Sequence, residues 1–213
     1  MADHTTSMDE ARSDEAKLQE LMDGVFRSLP ELSLIQNPDL RHKVALAWAL
    51  ALSETEFSRI EDMRSSGNWN SPPQKTGTQA DHLRATCTVA LGIAEGMEKI
   101  YGEIGIDRDV LIAGALVHDV GKAYEVSPKN IARWQEKPAA TGLPAVRHPV
   151  YGVHLALLAG LPEAVVHIVG GHSLNSEGSF ITPSMENLIV QYADLVMWKI
   201  LDKADLMESR MFP

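Results

Sequence analysis

Among the eight histidines and 29 acidic residues of this 213-residue sequence, six side chains stand out as candidate ligands for divalent metal: His82, His118, Asp119, His148, His172 and Asp194. Such a site needs neutral imidazoles and carboxylates converging from separate elements. The centre of the set is LIAGALVHDVGKAYE, residues 111–125, where an apolar run ends in His118-Asp119 and Gly121-Lys122 follow directly. Neighbours on a helix project about 100° apart, so this pair serves one site only at a helix end that faces a cleft. By itself the pair reads equally as a capped helix terminus. Asp194 adds weight, because it sits inside IVQYADLVMWKI, where an unpaired carboxylate is costly to bury. His82 follows Asp81 in the first turn of a helix, His148 directly precedes Pro149, and His172 ends a helix. Lys122 either reaches an anionic oxygen of a substrate or complements a helix dipole.

The other polar candidates divide the same way. Arg84, two residues after His82, is either a surface ion-pair partner or a contact for substrate phosphate. Arg147 and Lys137 border a Pro/Gly-containing loop over 137–147, which reads either as a lid or as a solvated loop. His154 lies six residues after His148, about 240° round a helix, so it packs behind the ligands or elsewhere rather than binding the same ion. His167 is read as a satisfied histidine, Cys87 as a small buried hydrophobe, and Met197 and Trp198 as core. His4 and His42 carry no assigned role.

Helices must position these groups. Residues 38–66 are rich in Ala and Leu and read as one long helix, with Asp39 as a cap near its start. GNWNSPPQKTGTQ, 67–79, reads as a loop. The next segment has Leu83, Val89, Ile93, Met97 and Ile100 at helical spacing. A shorter helix follows and ends at Gly121. Ser-Pro at 127–128 starts another, as does His148-Pro149; two more complete the chain, the last of them long. No strand alternation is evident. The expected architecture is all-α, with seven or eight helices.

Composition bounds the function. The chain is 45% hydrophobic and 23% charged, with a formal net charge of −10, which suits a globular protein with a real core and argues against a nucleic-acid polymer as partner. Residues 1–23 carry seven acidic residues and two basic ones, so this segment holds half of the net charge. Residues 1–12 are expected to be disordered, 13–77 to form N-terminal helices and 78–213 the metal-binding domain. The acidic start resembles neither a secretory signal nor a transit peptide. No apolar run is long enough for a bilayer, and the single cysteine gives no sign of an oxidising compartment. The expected location is cytoplasmic, without membrane association. A long apolar-faced N-terminal helix is a candidate contact for a homodimer.

The order His82, His118-Asp119, Asp194 resembles the HD-domain superfamily of metal-dependent phosphohydrolases. HDVGK matches its His-Asp-x-Gly-Lys segment, and HPVYGVHLAL resembles the His-Pro-x-x-Gly-x-x-Leu segment of its two-metal branches. The resemblance covers roughly 78–205 and implies an HD-domain helical bundle with extra N-terminal helices. By it, His82, His118, Asp119 and Asp194 hold one metal. Asp119 bridges to a second, completed by His148 and His172. Asp119 and Lys122 become the catalytic residues, with Lys122 on the substrate's anionic group. The implied cofactors are two divalent ions, Fe or Mn before Mg, Co, Ni or Zn, which activate water and polarise a small anionic phosphate ester. The cyclic-dinucleotide-cleaving branch carries a His-His pair and a Gly-Tyr-Pro loop; here the segment is GGHSLNSEGSF. The six-ligand set also resembles the HD-type di-iron oxygenases, which use nearly the same ligands on dioxygen. A non-catalytic module holding a structural metal is the third reading.

Overall fold

The computed structural model of the chain describes residues 2–66, 70–174 and 177–211, with side chains from residue 13 onward. The expectation made for residues 1–12 therefore lies outside the fully described residues. The protein is all-α apart from one small hairpin. Helix α1 spans Ala2–Ser28 and a 3-10 turn spans Pro30–Leu34. Helix α2 spans Pro38–Ser53; the Asn37 side chain caps it by accepting from Asp39 and Leu40 N–H, worth about 1 kcal/mol. The cap is thus Asn37, and Asp39 lies inside the first turn.

The single helix expected over 38–66 stops at Ser53. Ser53 Oγ donates to the Leu50 carbonyl, and Thr55 Oγ1 donates to those of Ala51 and Leu52. These hydroxyls take the carbonyls that further helical turns would have used. A 3-10 turn over Ile60–Asp62 leads into β1 (Arg64–Ser66), which pairs antiparallel with β2 (Pro73–Thr78). The expected strand-free loop over 67–79 thus contains a strand. Its sequence, PQKTGT, alternates no apolar residues; its pairing comes from tertiary contacts, including Lys75 N–H to the Leu206 carbonyl at 2.8 Å.

Helix α3 (Gln79–Tyr101) opens on a reciprocal cap in which Thr78 and Asp81 satisfy each other's backbone N–H. Then come α4 (Arg108–Val117), α5 (Lys122–Glu125), α6 (Pro128–Glu136), α7 (Pro138–Thr141), α8 (His148–Leu158), α9 (Glu163–Gly171) and α10 (Met185–Lys203). The loop expected over 137–147 therefore holds a short helix.

Helix α4 is the axis of the fold. Every residue from Leu111 to Val117 is buried, and α2, α3, α9 and α10 pack around it. Trp48 of α2 is fully buried and donates its indole N–H to the Leu116 carbonyl at 2.8 Å, so an apolar ring enters the core without an unmet donor. Met22, Val25 and Leu29 of the N-terminal region join the same hydrophobic cluster as Leu83, Leu116 and Val169. Residues 13–77 and 78–213 therefore share one core.

Candidate metal centre

The apolar helix α4 ends at Val117, four residues earlier than its sequence suggested, and His118 is its C-cap residue. The His118 Nδ1–H donates to the Ala115 carbonyl at 2.9 Å. His172 repeats the arrangement as the C-cap of α9, donating from Nδ1 to the Val169 carbonyl at 2.9 Å. Carbonyls at a helix end lack intrahelical partners, and here imidazoles supply them. When neutral, each ring then presents its Nε2 lone pair inward; for His118, burial is outweighed by the neighbouring Asp119, which raises the imidazole above its ordinary value. The two readings of His118, helix cap and candidate ligand, are compatible in one arrangement.

Those lone pairs meet partners. His82 Nε2 lies 3.2 Å from His118 Nε2, and His148 Nε2 lies 3.2 Å from His172 Nε2. Asp119 sits between the pairs. Its Oδ2 is 3.1 Å from His82 Nε2 and 3.5 Å from His118 Nε2; its Oδ1 is 3.3 Å from His148 Nε2 and 3.5 Å from His172 Nε2. Asp194 Oδ1 stands 3.4 Å from His82 Nε2, buried and without a hydrogen bond. Six sequence-selected residues thus converge from α3, α4, α8, α9 and α10 and the turns that follow them.

Two groups, His82–His118–Asp119 and Asp119–His148–His172, each have the spacing of residues that could hold a metal ion. Ligands about 2.1 Å from a common ion lie about 3.0 Å apart on an octahedron and about 3.4 Å apart on a tetrahedron. The observed edges of 3.1–3.5 Å match. His148 and His172 each engage Nδ1–H elsewhere, so their Nε2 lone pairs face at 3.2 Å and repel unless a cation lies between them, and the buried Asp194 oxygen is costly without one. All four imidazoles and Asp119 are buried, while the Asp194 side chain is 21% exposed, so solvent reaches the set from that side.

Charge is arranged to suit. Burial would raise the Asp119 carboxyl, but Lys122 first and then His118 and His172 hold it well below the usual carboxylate range. Burial, helped by the Lys122 charge, pulls His148 down to about 4. Burial also lowers His82. Those two rings are therefore neutral near pH 7, as metal binding requires.

Three supporting residues escaped the sequence reading, and Trp198, read there as core and buried as expected, also touches the site. Glu125, fully buried, accepts from the His148 backbone N–H at 2.8 Å, from His148 Nδ1 and from the Arg147 guanidinium. Gln79 Nε2 donates to Asp119 Oδ2 at 2.9 Å. Trp198 stacks on His82 with centroids 5.0 Å apart. Gln191 Nε2 donates to the Gly171 carbonyl at 2.6 Å, just before His172. Glu125 carried a usable signal, since a carboxylate beside Ala123 and Val126 raises the burial question that Asp194 raised.

The basic residues are placed differently. The Lys122 ammonium is buried, donates to the Ser66 carbonyl and stands 3.8 Å from Asp119 Oδ2. Arg147 pairs with Glu125 behind His148. Arg84 pairs with Glu31 at 2.9 Å, joining α3 to the turn after α1. His154 packs on Tyr151, and His167 Nε2 accepts from the Ser184 N–H at 3.2 Å.

Residues 80–207 match the model of the family described as HD domain. The chain is 28% identical over 174 residues, 81% of its length, to a dihydroneopterin 2',3'-cyclic phosphate phosphodiesterase of Methanocaldococcus jannaschii. It spans 63% of that protein's length. No solved structure matches the chain.

Proposed function

The chain belongs to the HD-domain family, and from that premise we propose that it is a dinuclear-metal phosphohydrolase that cleaves a small phosphate ester. The observation that carries the reading is the placement of Asp119, one oxygen toward each imidazole pair. The relative's activity on a cyclic phosphate makes cyclic phosphodiesters the leading substrate class.

In this reading His82, His118 and Asp194 would hold one ion and His148 and His172 another, with Asp119 offering one oxygen to each. Divalent ions bound there supply activation of water and Lewis-acid polarisation of a phosphoryl oxygen. Fe or Mn suits the mixed imidazole and carboxylate donors. Lys122 keeps Asp119 ionised and adds positive charge beside it, which favours an anionic substrate. Its ammonium donates to the Ser66 carbonyl and thereby ties β1 to the centre. Gln79 orients the Asp119 oxygen that faces His82 and His118. The single cysteine supports a cytoplasmic setting, and no helix among the described residues is long and apolar enough to cross a membrane.

The test is hydrolysis by protein loaded with Mn or Fe, using 2',3'-cyclic nucleotides and nitrophenyl phosphate esters, with Asp119→Ala as background. Turnover above that background is expected. Absence of turnover on every ester, or oxygen uptake with an organic substrate by the iron-loaded protein, overturns the proposal in favour of a structural metal or an oxygenase.

A further inference from the structure

Every candidate ligand histidine but one leans on a neighbour through Nδ1. His118 and His172 donate to the carbonyls of Ala115 and Val169, and His148 meets Glu125. The Nδ1 of His82 is buried and has no hydrogen-bond partner among the described residues. A buried ring nitrogen is costly to leave unpaired. A histidine that binds metal through Nε2 ordinarily donates its other N–H to a group that fixes the ring. Trp198 stacks on the His82 ring, but its indole offers no acceptor.

Thr86 stands one helical turn beyond His82 on α3, about 40° round and so on the same face. It is fully buried, and its Oγ1 also lacks a partner among the described residues. Thr88 shows what a threonine in this helix ordinarily does: its hydroxyl donates to the Arg84 carbonyl at 2.9 Å, one turn back. The equivalent carbonyl for Thr86 is that of His82, and Thr86 does not use it.

Helix α10 closes the space from the other side. It starts beside α4, where Asp107 N–H donates to Glu186, and α4 starts beside the end of α3, where Arg108 pairs with Glu98. Helix α10 therefore runs antiparallel to α3, with Asp194 and Trp198 level with His82. One turn further along α3 and one turn back along α10 come Thr86 and Gln191. Gln191 is buried, gives its Nε2 to the Gly171 carbonyl and keeps an unpartnered Oε1. An N–H donor, a hydroxyl and a carbonyl acceptor thus lie within adjacent turns. Side chains one turn apart have Cβ atoms about 5–6 Å apart, close to the span of a single bridging water. A buried water ordinarily has about three such partners.

We infer that Thr86 is a positioning residue for His82: a buried water accepts from His82 Nδ1–H and is held by Thr86 Oγ1 and Gln191 Oε1, which fixes the ring with Nε2 toward the centre. Gln191 then joins the supports of both halves, because its other end holds the carbonyl before His172. The inference rests on the reading of His82 as a metal ligand.

Manganese titrated calorimetrically into the apoprotein tests it. Thr86→Val keeps the shape of the side chain and removes the hydroxyl. It should weaken one of the two ions by about 10–100-fold and leave the other at its wild-type affinity. Thr86→Ser returns the hydroxyl and should restore most of the loss. A hydroxyl that only helped folding would affect both ions alike. Thr86→Val combined with Glu125→Gln should weaken both ions, since the two changes act behind different histidines. A crystal structure of the metal-loaded protein should place a water within about 3.2 Å of both His82 Nδ1 and Thr86 Oγ1. Unchanged affinity at both sites in Thr86→Val, equal loss at both, no rescue by serine, or a His82 Nδ1 bonded elsewhere overturns the inference and leaves the ligand reading standing. A wild type that binds no manganese overturns both.

Discussion

The Glu125 carboxylate receives both N–H groups of His148, the backbone amide at 2.8 Å and the ring Nδ1–H. It is a carboxylate behind a histidine proposed as a ligand, whereas His118 and His172 lean on backbone carbonyls. Such partners typically change metal affinity by about 10–100-fold. Glu125→Gln should therefore weaken one of the two ions by about that factor and leave the other bound. Calorimetric titration of metal into the apoprotein should show two unequal sites in the variant; two unchanged sites would remove the assigned role.

Asp119 serves both imidazole pairs, so its loss should not be selective. Asp119→Asn keeps the shape and removes the charge. Metal content should fall at both positions together, and chelator should no longer lower the melting temperature. In the wild type, ligation adds about 4 kcal/mol when free metal is about a thousandfold above Kd, so chelation should shift the melt by several degrees. A variant that retains one full equivalent of metal would contradict the bridging placement.

Gly121 and Gly92 make an opposed pair. A Cβ on Gly121 would stand 2.1 Å from the His148 carbonyl oxygen and 2.7 Å from Gly152 N. Both are backbone atoms of α8, so Gly121→Ala must push α8 and His148 away from α5, at a cost of about 3 kcal/mol or more. A Cβ on Gly92, inside α3, meets nothing within 4 Å, so Gly92→Ala should gain about 0.5–1 kcal/mol. Denaturant melts of the two variants should move in opposite directions.

Burial pushes the Cys87 thiol up to about 12. The thiolate is the reactive species, and a raised value keeps it scarce up to pH 9. Native protein should take up no thiol reagent between pH 7 and pH 9 and should react stoichiometrically once unfolded in denaturant. Rapid labelling of the native state at pH 8 would show that the α3 environment is more open than its packing implies.

The helices and the six convergent side chains were legible because their signals are local. Apolar spacing, Pro and Ser at helix starts, and carboxylates in apolar company all follow from short-range chemistry. The hairpin was not legible, because RSS and PQKTGT have no alternation and are held by partners more than a hundred residues away, such as Leu206. Gly121 was legible as special but for the wrong reason. It suggested the end of the helix, which stops earlier at Val117; its φ of −71° and ψ of −9° are ordinary for any residue, and the close approach of α8 demands glycine. Lys122 was seen as a charge near the site, but a carbonyl on β1 lies outside any local pattern.

His118 and His172 each end a helix and face the centre with the same ring. An alanine there deletes a donor atom and frays a helix end together, so loss of activity in such a protein reports on neither alone. Asparagine keeps a short amide donor for the carbonyl while removing the far nitrogen. Drift at these two positions therefore meets two separate filters, folding and chemistry. A descendant of this protein that abandoned catalysis would still be held close to histidine or asparagine by its helix ends alone.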